Sequence, residues 1–304
     1  MVVVLLSTYN GEKYIREQIN SILCQEGIDF KLLIRDDGSS DSTVSIINEY
    51  MENHVNRIFF SKGENVGFAM SFTKLLQLGY EMFPECDYFA FSDQDDVWLK
   101  EKLASAVEKL SLESDAIPVT YCSNTTLVRA DLSVIGNCWN PQNVKLSKER
   151  SLVQSFATGC TMVFNREAVR VYITHIPEKI KVHDFYMYQL CSMLGKVIFD
   201  PESHILYRQH GNNQIGKKNL FKRWIDRFKY LGHCSEHILE KQNYYLLKAL
   251  KDLLSPEDIY LISKIAFYRR NIFCRLSLLL DRKISYSKIE NNTMFILKIL
   301  FGGV

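Results

Sequence analysis

The sequence lacks the glycine-rich loops with which many enzymes bind nucleotides through their backbone. Its 304 residues include 14 glycines, but these form neither a GxGxxG nor a GxxxxGK pattern. A dinucleotide dehydrogenase and a P-loop enzyme are therefore disfavoured, because both hold phosphates on the backbone N–H groups of such loops. A nucleoside diphosphate bound by this chain would need another positive partner, such as a metal ion.

Paired cysteines and long apolar runs are also missing. The eight cysteines occur singly, and without a CxxC pair neither a zinc knuckle nor a thioredoxin-like motif is indicated. No run approaches 18 apolar residues, and Val2–Leu6 is too short for the apolar part of a signal peptide. We therefore expect no spanning helix, reduced and mostly buried thiols, and a cytoplasmic location.

The net charge of +2 hides an asymmetry between two parts of the chain. Residues 1–215 hold 20 Lys/Arg and 27 Asp/Glu, whereas residues 216–304 hold 17 and 8. The division predicts a larger domain over 1–215 and a basic C-terminal region over 216–304 with a different partner.

Apolar strands alternate with helical spacing in the first half, which predicts an α/β fold with a mixed, mainly parallel sheet and helices on both faces. The predicted strands are Val2–Leu6, Phe30–Ile34, Ile58–Ser61, Asp87–Ser92, Val119–Val128, Thr161–Phe164 and Ile205–Tyr207. The predicted helices are Glu12–Cys24, Ser42–Met51, Phe68–Tyr80, a helical pattern beginning at Val97-Trp98, and Phe185–Leu194. Trp139–Arg150 is predicted to be a polar loop, and the chain from Lys217 onward to be helical.

Two acidic clusters follow predicted strands. One is Asp93-Gln94-Asp95-Asp96, and the other is Asp36-Asp37 within Arg35–Asp41. Carboxylates at the C-terminal ends of strands lie where α/β sheets bind ligands, and hard oxygen ligands suit Mg²⁺ or Mn²⁺ shared with a phosphorylated substrate. The alternative is a turn or helix N-terminus, which the same residue types favour.

Four motifs in this order and spacing resemble the family 2 glycosyltransferases of the GT-A fold, which act on nucleoside-diphospho-sugars. The resemblance is strong over residues 1–110 and weakens towards residue 215. The variant Ser-Asp-Gln-Asp-Asp-Val-Trp, with the later Tyr-Arg-Gln-His-Gly-Asn-Asn, is most similar to bacterial rhamnosyltransferases of surface polysaccharides. The four motifs are Ser7-Thr8-Tyr9-Asn10-Gly11, Arg35–Asp41, Asn65-Val66-Gly67 and Ser92–Asp96.

The resemblance implies roles for the residues of these motifs. Asp37 would accept the N3–H of uracil or thymine, Tyr9 would pack beside the base, and Asp95 would bind the metal. Asp93 would hold the ribose or the water shell of the metal. The nucleotide-binding positions implied are Ser7, Thr8, Tyr9, Asp36, Asp37, Asn65 and Asp93.

The later motifs are implied to carry the acceptor chemistry. An inverting transfer needs a general base, and Asp184 matches the family position, with His183 in place of the usual Glu. Arg208 would contact the diphosphate, His183 would lie at the diphosphate or acceptor, and Gly159 would line the acceptor side. His210 would be a third metal ligand. A helix cap at Asp184 and structural roles for His210 and Gly159 are the alternatives. The chain lacks the Gln-x-x-Arg-Trp motif of processive members, which favours addition of a single sugar.

The basic C-terminal region has two interpretations. Lysines, arginines and aromatic residues between Lys217 and Lys229 would form an amphipathic helix that suits an anionic membrane surface, or a helix packed on the catalytic domain. Nucleic acid is disfavoured because the remainder of the chain is acidic. Met294–Phe301 is too short to span a membrane and is expected to dock or to form a homodimer.

The sequence therefore predicts an inverting, metal-dependent glycosyltransferase that is peripheral on the inner face of a bacterial membrane. The predicted donor is dTDP-L-rhamnose, and the acceptor a growing surface polysaccharide or lipid-linked glycan. A UDP-sugar donor is the main alternative. A sugar-nucleotide pyrophosphorylase and a non-catalytic nucleotide-sugar-binding module are more remote, and the single glycine and lysine of Ser7–Lys13 argue against the former.

Overall fold

The structure is a computed structural model that describes residues 1–209 and 237–304. The chain forms two compact units, here called the sheet unit and the helical unit. The predicted boundary at residue 215 stays a prediction, because it lies outside the described residues. The sheet unit comprises Met1–Asn140, Phe156–Ile176 and Ile180–Arg208, and the helical unit Pro141–Ser155, Pro177–Lys179 and Gln209–Val304.

The predicted strands are confirmed, with different ends. A two-residue strand stands at Val97-Trp98, where we predicted a helical pattern, and the helix begins at Lys102. The strands are β1 (Val2–Thr8), β2 (Phe30–Asp36), β3 (Ile58–Lys62), β4 (Tyr88–Ser92), β5 (Val97–Trp98), β6 (Val119–Val128), β7 (Val134–Asn137), β8 (Val163–Asn165) and β9 (Lys196–Arg208).

These strands form one mixed sheet in the order β3-β2-β1-β4-β8-β6-β9-β5, with β7 on β6. β1 lies parallel to β2 and β4, and β6 parallel to β9, whereas β8 runs antiparallel to both β4 and β6. β1 is central, and the side chains of Val2–Leu6 are fully buried. Its uninterrupted apolar run follows from burial on both faces of a parallel sheet.

Helices cover the sheet and also build the helical unit. In place of the predicted polar loop at Trp139–Arg150, the structure has a 3₁₀ turn at Pro141–Asn143 and a short helix. The described helices are α1 (Ile15–Leu23), α2 (Thr43–Asn53), α3 (Phe68–Met82), α4 (Lys102–Leu110), α5 (Lys148–Ser151), α6 (Arg166–Thr174), α7 (His183–Leu194), α8 (Ile238–Leu250), α9 (Pro256–Ala266), α10 (Ile272–Leu280) and α11 (Ile289–Phe301).

The helical unit joins α5 to the C-terminal helices by polar contacts. Lys148 forms an ion pair of 2.7 Å with Asp258 at the start of α9, and Asn243 of α8 donates to the carbonyl of Leu152 at 2.9 Å. In the part of the chain that the structure describes, no helix has both the length and the apolarity needed to cross a membrane.

Candidate active site

The predicted acidic residues lie at one edge of the sheet. Thr8 is paired with Asp36, and Leu6 with Ser92, so the carboxyl ends of β1, β2 and β4 meet. Asp93 follows directly after Ser92. This is the edge at which α/β sheets bind ligands.

Asp36 organises the turn that follows β2. Its Oδ2 accepts hydrogen bonds from the N–H groups of Gly38, at 3.1 Å, and Ser39, at 2.9 Å. Gly38 has a φ of 86°, which glycine adopts without the steric penalty of a side chain. Asp36 is fully buried, so its contact with the nucleotide remains a prediction, and its observed role is to shape this turn.

Asp37 holds the turn that precedes α3. The side chain is 3% exposed, and its Oδ1 accepts from Arg35 Nη1 at 2.5 Å and from the N–H of Val66 at 3.0 Å. Its Oδ2 accepts from the N–H of Gly67 at 2.9 Å. Asn65 is exposed on this turn. The predicted bond from a pyrimidine base to Asp37 stays a prediction, because the described contacts give Asp37 a positioning role.

Ser7 belongs to the same polar cluster. Its hydroxyl lies 2.6 Å from the hydroxyl of Ser71 on α3, which also accepts a hydrogen bond from Arg35 Nη1 at 2.7 Å. Arg35 is 3% exposed and therefore balances the buried Asp37 carboxylate.

Gln94 connects the loop after β1 to the Asp93–Asp96 cluster. Its Oε1 accepts from Thr8 Oγ1 at 2.6 Å and from the N–H of Tyr9 at 2.9 Å, while its Nε2 donates to the Tyr9 carbonyl at 3.2 Å. Tyr9 remains 48% exposed, as a side chain that stacks on a ligand must be. No pattern in the sequence distinguishes Gln94 from its neighbours in the acidic motif.

Three carboxylates share the space beyond these loops. Burial, together with the negative charges of Asp95 and Asp184, raises the pKa of Asp93 to about 7. Asp93, Asp95 and Asp184 are each half-buried. The structure therefore brings Asp95, a predicted metal-binding carboxylate, and Asp184, the predicted base, within electrostatic reach of Asp93.

Asp184 occupies the first turn of α7. Its Oδ2 accepts from the N–H of Gly159 at 2.8 Å, and its Oδ1 from the N–H of Phe185 at 2.6 Å. A Cβ at position 159 would lie 3.2 Å from Oδ2, so glycine permits this approach. Burial raises the pKa of Asp184 to about 6, although both N–H groups oppose the shift. Asp184 thus caps α7 and also has a pKa suited to a general base near neutral pH.

His183 packs in an aromatic pocket. Its ring is stacked on Phe72 at 4.0 Å between centroids and meets the edge of Phe91 at 4.8 Å. It is 4% exposed, and neither ring nitrogen has a hydrogen-bond partner among the described residues. Burial lowers the pKa of His183 to about 3. Its predicted role at the diphosphate or acceptor stays a prediction, and the described contacts make it a neutral side chain of the core.

Arg208 is also buried and forms hydrogen bonds within the protein. The side chain is 2% exposed, its Nε donates to the Asp95 carbonyl at 2.9 Å, and its Nη atoms donate to the Ala130 carbonyl and to Glu17. The backbone N–H donates to Asp96 Oδ1 at 3.1 Å. The predicted contact with the diphosphate stays a prediction, and the described contacts anchor the end of β9 to the acidic loop.

Among the described residues, Asp93, Asp96 and Cys160 form a cluster whose possible metal-binding atoms all lie within 4.8 Å of one another. Burial raises the pKa of Cys160 and of Asp96 well above their ordinary values. Because a protonated thiol is a poor ligand, the half-buried Asp93 and Asp95 fit a cation better. Asp96 Oδ2 is buried without a hydrogen-bond partner in the described part of the chain, so added positive charge there would be stabilising.

His210, the predicted third metal ligand, lies outside the described residues. Cys160 is 64 residues from Asp96, and no pattern in the sequence links it to the acidic cluster.

Known proteins are similar to this chain over different parts of its length. A model of glycosyl transferase family 2 matches residues 3–173. The dTDP-rhamnosyl transferase RfbG of Shigella flexneri is 28% identical, over 97% of this chain and 100% of the relative. The putative teichuronic acid biosynthesis glycosyltransferase TuaG of Bacillus subtilis is 30% identical over 40% of this chain and 46% of its own length.

Solved structures share the fold. A crystal structure of S. aureus TarS 1–349 has a TM-score of 0.56 at 17% identity and covers 100% of this chain and 80% of that chain. The mannosyltransferase PcManGT from Pyrobaculum calidifontis, in complex with GDP-Man and Mn²⁺, has a TM-score of 0.55 at 15% identity and covers 99% and 85%. The fold is that of the GT-A glycosyltransferases. The resemblance read from the motifs is confirmed, and the chain belongs to glycosyl transferase family 2.

Proposed function

We propose that this protein transfers a single L-rhamnose from dTDP-L-rhamnose, with inversion, to a hydroxyl of a growing surface glycan. The observation that carries the proposal is the convergence of Asp93, Asp95 and Asp184 at the carboxyl edge of the sheet. One side chain can accept a proton while the other two bind positive charge. Such a division suits displacement of a nucleoside diphosphate by a hydroxyl.

Asp184 is the proposed general base. The acceptor hydroxyl oxygen attacks the anomeric carbon of the donor while the hydroxyl proton passes to the Asp184 carboxylate. At the same time the bond between the anomeric carbon and the diphosphate oxygen breaks. The N–H groups of Gly159 and Phe185 fix the orientation of the carboxylate. With a pKa of about 6, Asp184 is ionised at neutral pH and still basic enough to take the proton.

A divalent cation, Mn²⁺ or Mg²⁺, fits the remaining carboxylates. Asp95 and Asp93 would hold it, with His210 as a further proposed ligand. When bound, the ion would neutralise charge on the departing diphosphate. Support comes from the mutual repulsion of the carboxylates and from the Mn²⁺ in the related PcManGT complex.

The rhamnose donor is supported by the similarity to the dTDP-rhamnosyl transferase RfbG across the full length of both chains. A UDP-sugar is the second candidate, because a TarS structure of similar fold contains UDP-GlcNAc. For either donor, Tyr9 and Asn65 would meet the base, and Asp36, Asp37, Ser7 and Thr8 would shape the loops around it.

The acceptor is proposed to be a lipid-linked or polymeric surface glycan, reached at the inner face of the bacterial membrane. TuaG, a relative named for teichuronic acid biosynthesis, supports a cell-surface polymer. The predicted membrane segment at Lys217–Lys229 lies outside the described residues.

Donor hydrolysis tests the proposal directly. Purified protein is incubated with Mn²⁺ or Mg²⁺ and with dTDP-L-rhamnose or a panel of UDP-sugars, and the released nucleoside diphosphate is measured. We expect dTDP-L-rhamnose to be used and EDTA to stop the reaction. Hydrolysis of a UDP-sugar instead would show that the proposed donor is wrong. Hydrolysis that continues in EDTA would show that the reaction needs no divalent metal. If no donor is hydrolysed, the protein either requires its acceptor or only binds the donor. Calorimetry with each donor is then the next measurement.

A further inference from the structure

Helix α10 exposes the apolar residues that a packed helix would bury. Ile272, Phe273, Leu276 and Leu280 are 59%, 78%, 50% and 81% exposed, whereas Leu278 is 2% exposed. The four exposed residues follow three- and four-residue spacing and therefore share one side of the helix.

The opposite side of α10 is fixed to the preceding helix. Tyr260 and Ser277 approach to 3.1 Å between their hydroxyls, and Lys264 forms an ion pair of 2.7 Å with Asp281. Lys264 and Asp281 are both largely buried, which makes this pair a firmer anchor than a surface ion pair. The apolar stripe therefore faces outward because the polar side of α10 makes the intramolecular contacts.

Helix α11 repeats the arrangement. Ile289, Ile296, Leu300 and Phe301 are 84%, 46%, 51% and 73% exposed, while Phe295 and Ile299 are buried at 5% and 1%. Two neighbouring helices of the same unit thus both present large apolar side chains to solvent, which is uncommon for a surface without a ligand.

Basic residues flank these apolar stripes. Arg270 precedes α10, Arg282 and Lys283 follow it, and Lys288 precedes α11; all four are exposed. Residues 267–304 contain seven Lys/Arg and two Asp/Glu. Among the described residues, no acidic side chain forms an ion pair with Arg270, Arg282 or Lys288.

We propose that α10 and α11 dock on an anionic lipid membrane, with their apolar stripes in the acyl boundary and the flanking basic residues at the headgroups. Exposed aliphatic and Phe side chains beside Lys and Arg are what such a surface binds. The inference deepens the proposed function and rests on it only for the lipid-linked acceptor. A second copy of the chain suits this surface less well, because two equivalent faces, each with five excess positive charges over residues 267–304, would repel.

Vesicle co-sedimentation of the full chain tests the proposal. Vesicles of phosphatidylglycerol and phosphatidylcholine are compared with phosphatidylcholine alone, and we expect binding to the former that weakens with salt. The variant Phe273→Ser/Leu280→Ser should reduce binding by about tenfold or more. Arg282→Gln/Lys283→Gln should reduce binding to the anionic vesicles severalfold and leave the little binding to neutral vesicles unchanged.

The control variant carries Leu112→Ser and Val55→Ser in the sheet unit, where the side chains are 82% and 72% exposed. Its vesicle binding should equal that of the parent protein. Equal losses in both serine variants, or binding independent of lipid charge, would overturn the proposal. A dimer that the Phe273→Ser/Leu280→Ser variant dissociates, without vesicle binding by the parent, would assign the surface to a second copy. Donor hydrolysis in solution should be the same in all variants, so failure of docking is distinguished from failure of the proposed reaction.

Discussion

Asp184 is the residue on which the proposed chemistry most depends, and its surroundings set both its orientation and its basicity. The two N–H groups that it accepts from would stabilise the carboxylate, whereas burial opposes ionisation more strongly. The result is a pKa of about 6, high enough for proton abstraction and low enough for ionisation at pH 7. His183 next to it was expected to reach the ligand, but its aromatic neighbours make it part of the core.

Replacement of Asp184 by Asn should remove the base while keeping its shape. Asn can still accept a hydrogen bond from the N–H of Gly159, so the melting temperature should change little. We expect kcat for transfer to fall by about 10² to 10⁴ and KM for the donor to stay within about twofold.

In the parent enzyme, kcat should fall tenfold per pH unit below about pH 6, because the protonated carboxyl cannot act as a base. Steady-state transfer from pH 5 to pH 8 measures both effects. A variant that retains most of its kcat would show that Asp184 is only a helix cap.

At the scale of elements, Arg208 joins three parts of the sheet unit that are distant in the sequence. It lies at the end of β9 and bonds to the Asp95 carbonyl, the Ala130 carbonyl and Glu17 of α1. The guanidinium carbon of Arg208 also lies 4.6 Å from the centroid of the Tyr14 ring. The acidic loop is therefore positioned by β9 through a buried cation.

Arg208→Ala should destabilise the protein by roughly 1–3 kcal/mol, because it removes a buried guanidinium that donates to the Asp95 and Ala130 carbonyls and to Glu17. Urea unfolding measures the change. The matched control is Arg16→Ala, which removes an exposed pair of 2.7 Å with Glu49 and should leave the midpoint unaltered. If Arg208→Ala instead raised KM for the donor without a change in unfolding, the guanidinium would be a diphosphate ligand, as the sequence had suggested.

The strands also show how much of the fold can be predicted from the sequence. β1, β2 and β4 were predictable because a central parallel strand is apolar along its whole length. Only Ile205–Tyr207 of β9 was predicted, since Asp200, Pro201 and Glu202 interrupt its pattern, and its pairing with β6 is irregular near this point. Local motifs identified the loops of the site, but the burial of His183 and Arg208 depends on packing between distant elements, which no local pattern contains.

At the scale of the whole molecule, the carboxylate cluster should make stability depend on pH. Burial and the neighbouring carboxylates raise the pKa of Asp93 to about 7, from the ordinary value of about 3.9 in an unfolded chain. Between these values the unfolded chain binds fewer protons than the folded one, so the contribution of Asp93 to stability falls as the pH rises from about 4 to 7. Above pH 7 the full cost of the ionised cluster remains.

Asp93→Asn should therefore stabilise the metal-free protein at pH 7 by on the order of 2–4 kcal/mol, and by little at pH 4. Mn²⁺ should recover part of this difference in the parent protein, because an ion that binds only the folded state adds to its stability. Urea unfolding in EDTA and in Mn²⁺, at both pH values, measures these changes. Asp131→Asn is the control, because hydrogen bonds from Ser133 lower the pKa of Asp131. Loss of the Asp131 carboxylate should therefore not stabilise the protein as the pH rises. The difference in unfolding free energy between the parent protein and Asp93→Asn could instead be constant from pH 4 to 7. That result would mean that the three carboxylates do not repel one another. The proposal of a cation at Asp93 and Asp95 would then lose its electrostatic basis.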